Sequence, residues 1–221
     1  MARGLASPTP GLETRTLGAL SQDPEILVQI AAVRSLGFPS APVDPHLRAA
    51  LASKHAAVVQ TAVEALGRVA TPLASEILIL TITGNDPLWI RETAIQAIGR
   101  SDPDLAAGIA NGLSKDPEPI LRAAAVRNVT GRNDERSREI ARRVLADPDP
   151  RARAAAVLSR AGIEGPLADE LGETPSDADP SVREAVAILA GQRIARRTAT
   201  DEERDEAFGI LQLQKMTGAQ F

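Results

Sequence analysis

The chain has 221 residues, a formal net charge of −4 and a pI near 5.3, the wrong sign for a general nucleic-acid binder. It contains no cysteine, which excludes disulfides, thiolate metal sites and cysteine nucleophiles. Hydrophobic residues make up 43% of the chain but aromatic residues only 2%, so a core of Ala, Val, Leu and Ile is expected, which suits closely packed helices.

Two kinds of amphipathic segment alternate along the chain. The first kind is short and begins after a proline or an acidic residue in several copies, as the first turn of a helix does. These segments predict helices at residues 9–20, 46–53, 72–83, 103–114, 135–145 and 166–171. The last of them lies in a stretch rich in glycine and proline, and we expect it to be short or irregular.

The second kind of segment is one residue pattern that recurs six times, at intervals of about 30 to 32 residues. We number each copy from a central position, called position zero. Position zero holds Gln29, Val59, Arg91, Arg122, Arg153 and Arg183. The position before it and the positions three, four and seven after it are aliphatic, with Arg160 as the exception at position seven. This spacing predicts one apolar stripe on an amphipathic helix.

The third copy, residues 86–99, is the most complete of the six. Asp86 is predicted to cap the helix N-terminus, and Pro87 to occupy the first helical position, where no amide donor is needed. Gly99 is predicted to end the helix in a left-handed conformation. Asp-Pro opens five of the six copies, and a glycine follows every copy.

A helix pair of this kind cannot bury both of its apolar stripes alone, so neighbouring pairs must stack. The sequence therefore predicts an all-α fold, a right-handed α-solenoid of about six helix pairs within residues 1–199. Residues 200–221 are predicted to form a C-terminal capping helix of the same domain. Thr200 and Glu203 have the spacing of a capping box at its start.

These residues resemble the HEAT-repeat superfamily, most closely the short subtype named after phycobilisome lyases. The family pattern Asp-Pro…Val-Arg…Ala…Ala-Leu-Gly stands here at residues 86–99 and, in its opening part, at residues 179–183. The resemblance covers about residues 9–195. It implies the fold but no single function, because the family includes scaffolds, lyase subunits, hydroxylases and DNA glycosylases.

Arginine occupies position zero in the last four copies. At 100° per residue this position falls within the apolar arc, so the side chain is expected to point between layers, where an unpaired charge is costly. We predict a structural ladder of ion pairs with the Asp-Pro carboxylates of the same or the adjacent repeat, a role that the resemblance also implies. Its members are Arg91, Arg122, Arg153 and Arg183 with Asp86, Asp116, Asp147 and Asp179. The alternative is an anion-binding surface on the concave face.

The positions one, two and five after position zero are predicted to face solvent on the inner surface of the solenoid. They are mixed in the first three copies but small and apolar in the last three, which indicates a groove for a partner. The predicted partner-binding residues are Ala124, Arg127, Ala155, Leu158, Ala185 and Ile188, with Trp89 as an aromatic anchor. The alternative is that alanine serves only as a good helix former and that Trp89 packs on the preceding helix.

Charge is distributed unevenly in the second half of the chain. Residues 122–160 contain ten arginines and five acidic residues, and residues 164–179 contain six acidic residues and no base. The two stretches either steer a charged partner or neutralise each other between neighbouring repeats. We favour neutralisation.

No arrangement of residues typical of catalysis is present. The two histidines, His46 and His55, are predicted to lie in different helices, and neither is followed by the glutamate that a HEAT-repeat hydroxylase needs for its metal. Glycine-rich phosphate loops are also absent. We therefore predict no catalytic residues, no metal and no cofactor.

The predicted function is a non-enzymatic scaffold or adaptor that binds a protein or peptide on the concave face. Two alternatives remain open: a bilin-lyase-type subunit or chaperone, and a HEAT-like DNA-binding protein or glycosylase, which the net negative charge disfavours. The apolar strip could also serve a homodimer. Because no apolar run approaches the roughly 20 residues of a membrane span and residues 1–8 lack the apolar core of a secretory signal, a cytoplasmic protein without membrane contact is expected.

Overall fold

The computed structural model describes residues 12–38, 45–172 and 174–216, and every regular element in these ranges is helical. The α-helices are α1 Leu12–Leu20, α2 Ile26–Leu36, α3 Pro45–Leu51, α4 Ala56–Val69, α5 Pro72–Thr83, α6 Leu88–Ser101, α7 Pro103–Leu113, α8 Pro119–Arg127, α9 Glu135–Leu145, α10 Pro150–Ser159, α11 Leu167–Leu171, α12 Pro180–Ala195 and α13 Asp201–Met216. The predicted all-α repeat fold is confirmed.

Within the described ranges these helices form six consecutive pairs, α1/α2 to α11/α12, followed by α13. The predicted first helices at 72–83 and 135–145 coincide with α5 and α9. The segment predicted at 9–20 begins outside the described residues, and its described part is α1. α11 is only five residues long, as its glycine- and proline-rich surroundings predicted.

The chain divides into two compact units, Met1–Pro103 and Asp104–Phe221, at the start of α7. In the first unit α4 packs against both α2 and α6, and the first helices α1, α3 and α5 pack against α2, α4 and α6. The largest fully buried side chains of this unit come from both kinds of helix, for example Leu36, Leu66 and Leu78. Its core is therefore aliphatic, as the composition indicated.

Two repeat glycines of the first unit lie where helices approach closely. A Cβ on Gly37 would lie 2.8 Å from Cβ of Ala65, and a Cβ on Gly67 would lie 2.8 Å from Cβ of Ala97. Real Cβ atoms essentially never come so near to each other. These glycines therefore permit close helix packing. Gly67 lies inside α4, whereas Gly37 is also the C-cap residue of α2.

The prediction that Gly99 ends its helix is wrong. α6 continues through Gly99 to Ser101. Gly99 does not adopt a positive φ, so it remains within the helix. In the second unit Gly131 and Gly162 do adopt positive φ, 73° and 85°, after α8 and α10. The left-handed residue that ends α4 is Ala70, with φ of 50°.

In the second unit α10 packs between α8 and α12, and α12 in turn packs against α13. Ala207 and Ile210 of α13 join the core cluster that contains Val157, Val186 and Leu189. α13 thus covers the last helix pair, where a further repeat would otherwise pack.

α13 also holds the short helix α11 in place. The carboxylate of Glu206 accepts hydrogen bonds from the backbone amides of Leu167 and Ala168, both at 2.9 Å. These amides belong to the first turn of α11 and have no partner within their own helix. The capping box predicted for α13 forms, with Thr200 and Glu203 bonding each other's backbone amides at 3.0 and 3.2 Å.

The predicted role of Asp86 as a helix cap is wrong. α6 begins at Leu88, and Pro87 is its N-cap residue. In α8 and α10 the proline at the first helical position follows a different acidic residue, as in Asp149-Pro150. The aspartate two residues earlier, Asp147, accepts a hydrogen bond from the Asp149 amide at 2.9 Å. In these two copies the Asp-Pro motif therefore shapes the turn before the helix. In the sixth copy Asp179 does cap its helix, and Pro180 is the first residue of α12.

Candidate functional site

The arginine ladder is a set of side chains that join one repeat of the second unit to the next. Arg122 of α8 binds Asp147 with two parallel contacts, Nε to Oδ2 at 2.6 Å and Nη2 to Oδ1 at 2.8 Å. Its Nη1 donates to the carbonyls of Asp116 and Pro117, both at 2.8 Å. One guanidinium thus satisfies a carboxylate of the following repeat and two carbonyls of its own repeat.

Arg153 of α10 repeats this geometry one step further along. Its Nε and Nη2 contact the carboxylate of Asp177 at 2.7 and 2.9 Å, and its Nη1 donates to the carbonyls of Asp147 and Pro148 at 2.8 and 3.1 Å. Asp177 is not one of the predicted Asp-Pro carboxylates; that of the same repeat, Asp179, accepts hydrogen bonds from Ser181 at the start of its own helix. Asp177 lies six residues before Arg183, as Asp147 lies six residues before Arg153. Asp179 and Asp149 lie four residues before the same arginines, so they correspond to each other.

The last arginine of the ladder has no following repeat. Arg183 donates from Nη1 to the carbonyls of Asp177 and Ala178 at 2.7 and 2.8 Å. Its Nε is buried and has no hydrogen-bond partner in the described part of the chain. Within the described ranges, no aspartate of a following repeat is available to Arg183. The next helix, α13, contributes Gln214, whose side-chain amide donates to the backbone carbonyl of Arg183 at 2.8 Å.

The third copy differs from the later ones. Arg91 donates from Nε to the carbonyl of Ile82 at 2.7 Å, which joins α6 to the preceding helix α5. Asp86 is exposed, and the carboxylates that Arg122 and Arg153 bind are those of Asp147 and Asp177. Asp86 lies five residues before position zero and Asp147 lies six, so the two positions do not correspond.

The ladder shifts the pKa values of its members. The hydrogen bond from Arg153 is the main reason that the pKa of Asp177 lies below its usual value. Burial raises the pKa of Asp147, but the hydrogen bonds from Arg122 and from the Asp149 amide outweigh this and lower it. These carboxylates and guanidiniums satisfy each other, which favours the structural interpretation over an anion-binding surface.

Three residues of the predicted docking surface are exposed. Leu158 of α10 and Ile188 of α12 are 37% and 44% exposed, and Arg127 of α8 is exposed as well. All three occupy position five of their helices, which at 100° per residue lies opposite the apolar stripe. Since α10 packs between α8 and α12, these side chains follow one another across neighbouring helices.

Two predicted members of this surface are not accessible. Ala124 and Ala185 are each only 3% exposed, and Ala155 is half-buried. They occupy position two, on the flank of the helix, where a neighbouring helix covers them. Ala185 belongs to the core cluster that includes Ala207 of α13. We call the accessible part, Leu158 of α10 and Ile188 of α12 with the half-buried Ala154 one turn before Leu158, the α10–α12 strip.

The family of the chain follows from its sequence. A model of HEAT repeats matches residues 14–99 and 106–190. The chain belongs to the HEAT-repeat family. The predicted HEAT repeats are therefore confirmed, and the two matched ranges correspond to the two compact units.

The solved structures include a chain of similar architecture, in the complex of CpcE and CpcF of phycocyanin lyase from Nostoc sp. PCC7120. It is 16% identical in sequence, with a TM-score of 0.49, and the match covers 97% of this chain and 99% of that one. No curated protein matches the sequence.

Trp89 lies in the first HEAT unit, in the first turn of α6, and is 40% exposed. Its backbone carbonyl accepts a hydrogen bond from the Thr93 hydroxyl at 2.7 Å. Its side chain is thus accessible enough to touch a partner, and its use as an anchor stays a prediction.

Sequence reasoning missed a cleft in the second HEAT unit. The cleft has a volume of about 880 Å³ and is lined by charged side chains of α9, α10, α11 and the loops beside them, including Arg142, Arg153, Glu170 and Asp177. α11 has five residues where α9 has eleven, so α11 leaves part of this face open. A signal was present in the sequence, because the glycine- and proline-rich stretch predicted a short first helix beside this cleft.

The arginine-rich and acidic stretches of the second unit neutralise each other in part. Arg153 pairs with Asp177, and Arg160 pairs with Glu170 at 2.7 Å. Among the described residues there is no group of three or more His, Asp or Glu side chains placed to hold a metal ion. The same residues include no helix long and apolar enough to cross a membrane.

Proposed function

We propose that this HEAT-repeat protein is a non-enzymatic scaffold that binds a protein or peptide segment at the α10–α12 strip. The observation that carries the proposal is the exposure of Leu158 and Ile188 at the same position of two adjacent helices. A single exposed aliphatic residue is ordinary, but aligned ones on a repeat surface are typical of an interaction site.

The surroundings of the strip favour an apolar partner. Ala154 lies one turn before Leu158 on α10, and Gly191 and Ala195 continue the exposed face of α12. A shallow cavity of about 320 Å³ lies at the C-terminal end of α12, lined by Gly162 and by residues that include Leu189, Arg193 and Arg196. Small residues let a partner backbone approach closely, while the two larger side chains provide contact area.

The spacing suggests how a peptide would lie. Neighbouring helix axes are separated by about 8–10 Å, and an extended chain advances about 3.3 Å per residue. A peptide crossing from α10 to α12 would therefore place two apolar side chains three residues apart, one against Leu158 and one against Ile188.

The arginines of the second unit weigh against a nucleic-acid surface. Arg122, Arg153 and Arg143 each use several N–H groups on carboxylates, carbonyls or other side chains of the protein. Few of their donors are left for phosphates.

The test replaces the strip without disturbing the core. The double variant Leu158→Asp/Ile188→Asp should keep the helical content and the unfolding midpoint of the wild type, because both side chains are exposed. Affinity capture from the native cell extract, with quantitative mass spectrometry, should lose specific partners. Leu80→Asp/Phe208→Asp is the matched control, since Leu80 and Phe208 are 61% and 56% exposed and lie elsewhere.

Partners retained by the wild type and the control but lost from the strip variant would support the proposal. An identical set of partners for all three proteins would refute the strip as a binding surface. Sedimentation velocity on the same samples distinguishes a homodimer, which the wild type and the control would form and the strip variant would not.

A further inference from the structure

Arg160 occupies a core position that the other repeats fill with aliphatic side chains. Those side chains are Leu36, Leu66, Ile98, Val129 and Ala190. Arg160 is 1% exposed, and it is the largest fully buried side chain of the described chain. A guanidinium stays charged at all ordinary pH values, and burying it is costly unless its donors are satisfied.

The donors of Arg160 are poorly satisfied. Its Nη2 forms an ion pair with Oε2 of Glu170 at 2.7 Å, but Nε, Nη1 and Nη2 have no well-aligned hydrogen-bond acceptor among the described residues. Nε of Arg138 on the neighbouring α9 is also buried without an acceptor. These four nitrogens form the main concentration of unsatisfied buried donors in the described chain.

Positive charge exceeds negative charge around Arg160. Burial is the main cause that lowers the pKa of Arg160; Glu170 opposes this effect, and Arg138 and Arg142 lie near enough to add to the lowering. Arg138 and Arg142 share a single carboxylate, that of Glu135, at 3.0 and 3.3 Å. Among the described residues, three guanidiniums therefore share two carboxylates.

An anion has a route of entry. Arg142 and Glu170 both line the 880 Å³ cleft that the short helix α11 leaves open, together with Arg153, Asp169 and Asp177. Glu170 is thus in contact with Arg160 on one side and with the cleft on the other. A shift of this one side chain would expose the Arg160 donors to a ligand in the cleft.

We propose that Arg160, with Arg138 and Arg142, forms an anion site at the inner wall of the cleft, for a small ligand that carries a phosphate or a carboxylate group. The ligand oxygens take up the unsatisfied donors, and the Glu170 carboxylate moves aside into the cleft. Guanidiniums suit this task because their planar array of donors matches both kinds of group. The site is separate from the α10–α12 strip and does not depend on it.

The test compares three full-length proteins: the wild type, Arg160→Leu and Glu170→Gln. Thermal unfolding is followed by circular dichroism while inorganic phosphate or succinate replaces sodium chloride at constant ionic strength. The wild type should gain about 5 °C at saturating concentrations of one of the two anions. Which anion acts decides between a phosphate and a carboxylate ligand.

The variants should move in opposite directions. Arg160→Leu restores the aliphatic residue of the other repeats, so it should unfold at the same or a higher temperature without added anion and show no saturable response. Glu170→Gln removes the competing carboxylate, and its Kd for the anion, measured by calorimetry, should fall about tenfold.

A wild type that responds to neither anion beyond chloride would overturn the proposal. So would an Arg160→Leu variant that responds as the wild type does, since this would indicate a general salt effect. If Arg160→Leu fails to fold, Arg138→Gln replaces it: loss of the response supports the site, and an unchanged response refutes it.

Discussion

The two units of this protein hold successive HEAT repeats together by different means. In the first unit, Gly37 and Gly67 let helices meet at near-backbone distance, and position zero of the second repeat is the apolar, 5% exposed Val59. In the second unit, Arg122 and Arg153 at the same position bind a carboxylate of the next repeat. The same helix pair can therefore be joined to its neighbour by apolar contact or by paired charges.

One element is common to both units. Gln29 of the first repeat donates to the carbonyl of Asp23, six residues earlier, at 2.5 Å. Arg122 and Arg153 donate to the corresponding carbonyls of their own repeats. The polar residue at position zero thus first satisfies the turn before its helix, and only the longer arginine also reaches the next repeat.

The largest effect is expected from removing a ladder carboxylate. Asp177→Ala leaves Arg153 charged and mostly buried, and it also removes the acceptor of the Asp179 amide. The free energy of unfolding, measured by urea titration, should fall by about 3 kcal/mol. Asp179→Ala, the matched control, removes only a helix cap and should cost clearly less. Equal losses would contradict the assignment of Asp177 as the partner.

A smaller loss is expected from crowding the first unit. Gly67→Ala forces a Cβ to within 2.8 Å of Cβ of Ala97, and overpacking of this kind costs about 1–3 kcal/mol. Gly191→Ala in α12 meets no atom within 4 Å and should be neutral or stabilising by up to about 1 kcal/mol. Fluorescence of Trp89, the single tryptophan, follows unfolding near α6. A neutral Gly67→Ala would show that close packing is not what joins these repeats.

The smallest effect concerns pH. The pKa of Asp149 is lowered to about 2, chiefly by its hydrogen bond with Arg151, and those of Asp147 and Asp177 are also lowered. A carboxyl with a lower pKa in the folded state stabilises the fold above its unfolded pKa near 4, and this contribution is lost as pH falls through the folded pKa. Stability should therefore decrease from about pH 5 towards pH 2. Asp177→Asn should flatten this decrease in urea titrations, and an unchanged slope would exclude Asp177 as a contributor.

Local features were readable from the sequence. The bounds of α5 and α9 and the capping box of Thr200 and Glu203 coincide with the prediction, because they depend on residues within a few positions of each other. The repeat spacing likewise determined the helix pairs and the HEAT family. Exposure at Leu158 and Ile188 followed from helix geometry alone, since position five lies opposite the apolar stripe.

Only the tertiary structure decided what each repeat meets in the next one. It assigned Asp177 in place of Asp179 to Arg153, and it buried Ala124 and Ala185 on flanks that a single helix would leave exposed. It also brought Glu170 of the short helix α11 onto Arg160, whose position in the repeat indicated an aliphatic side chain. These outcomes depend on residues of other helices and loops, such as Glu170, 10 positions from Arg160, and Asp177, 24 positions from Arg153. The periodicity of one helix carries no information about them.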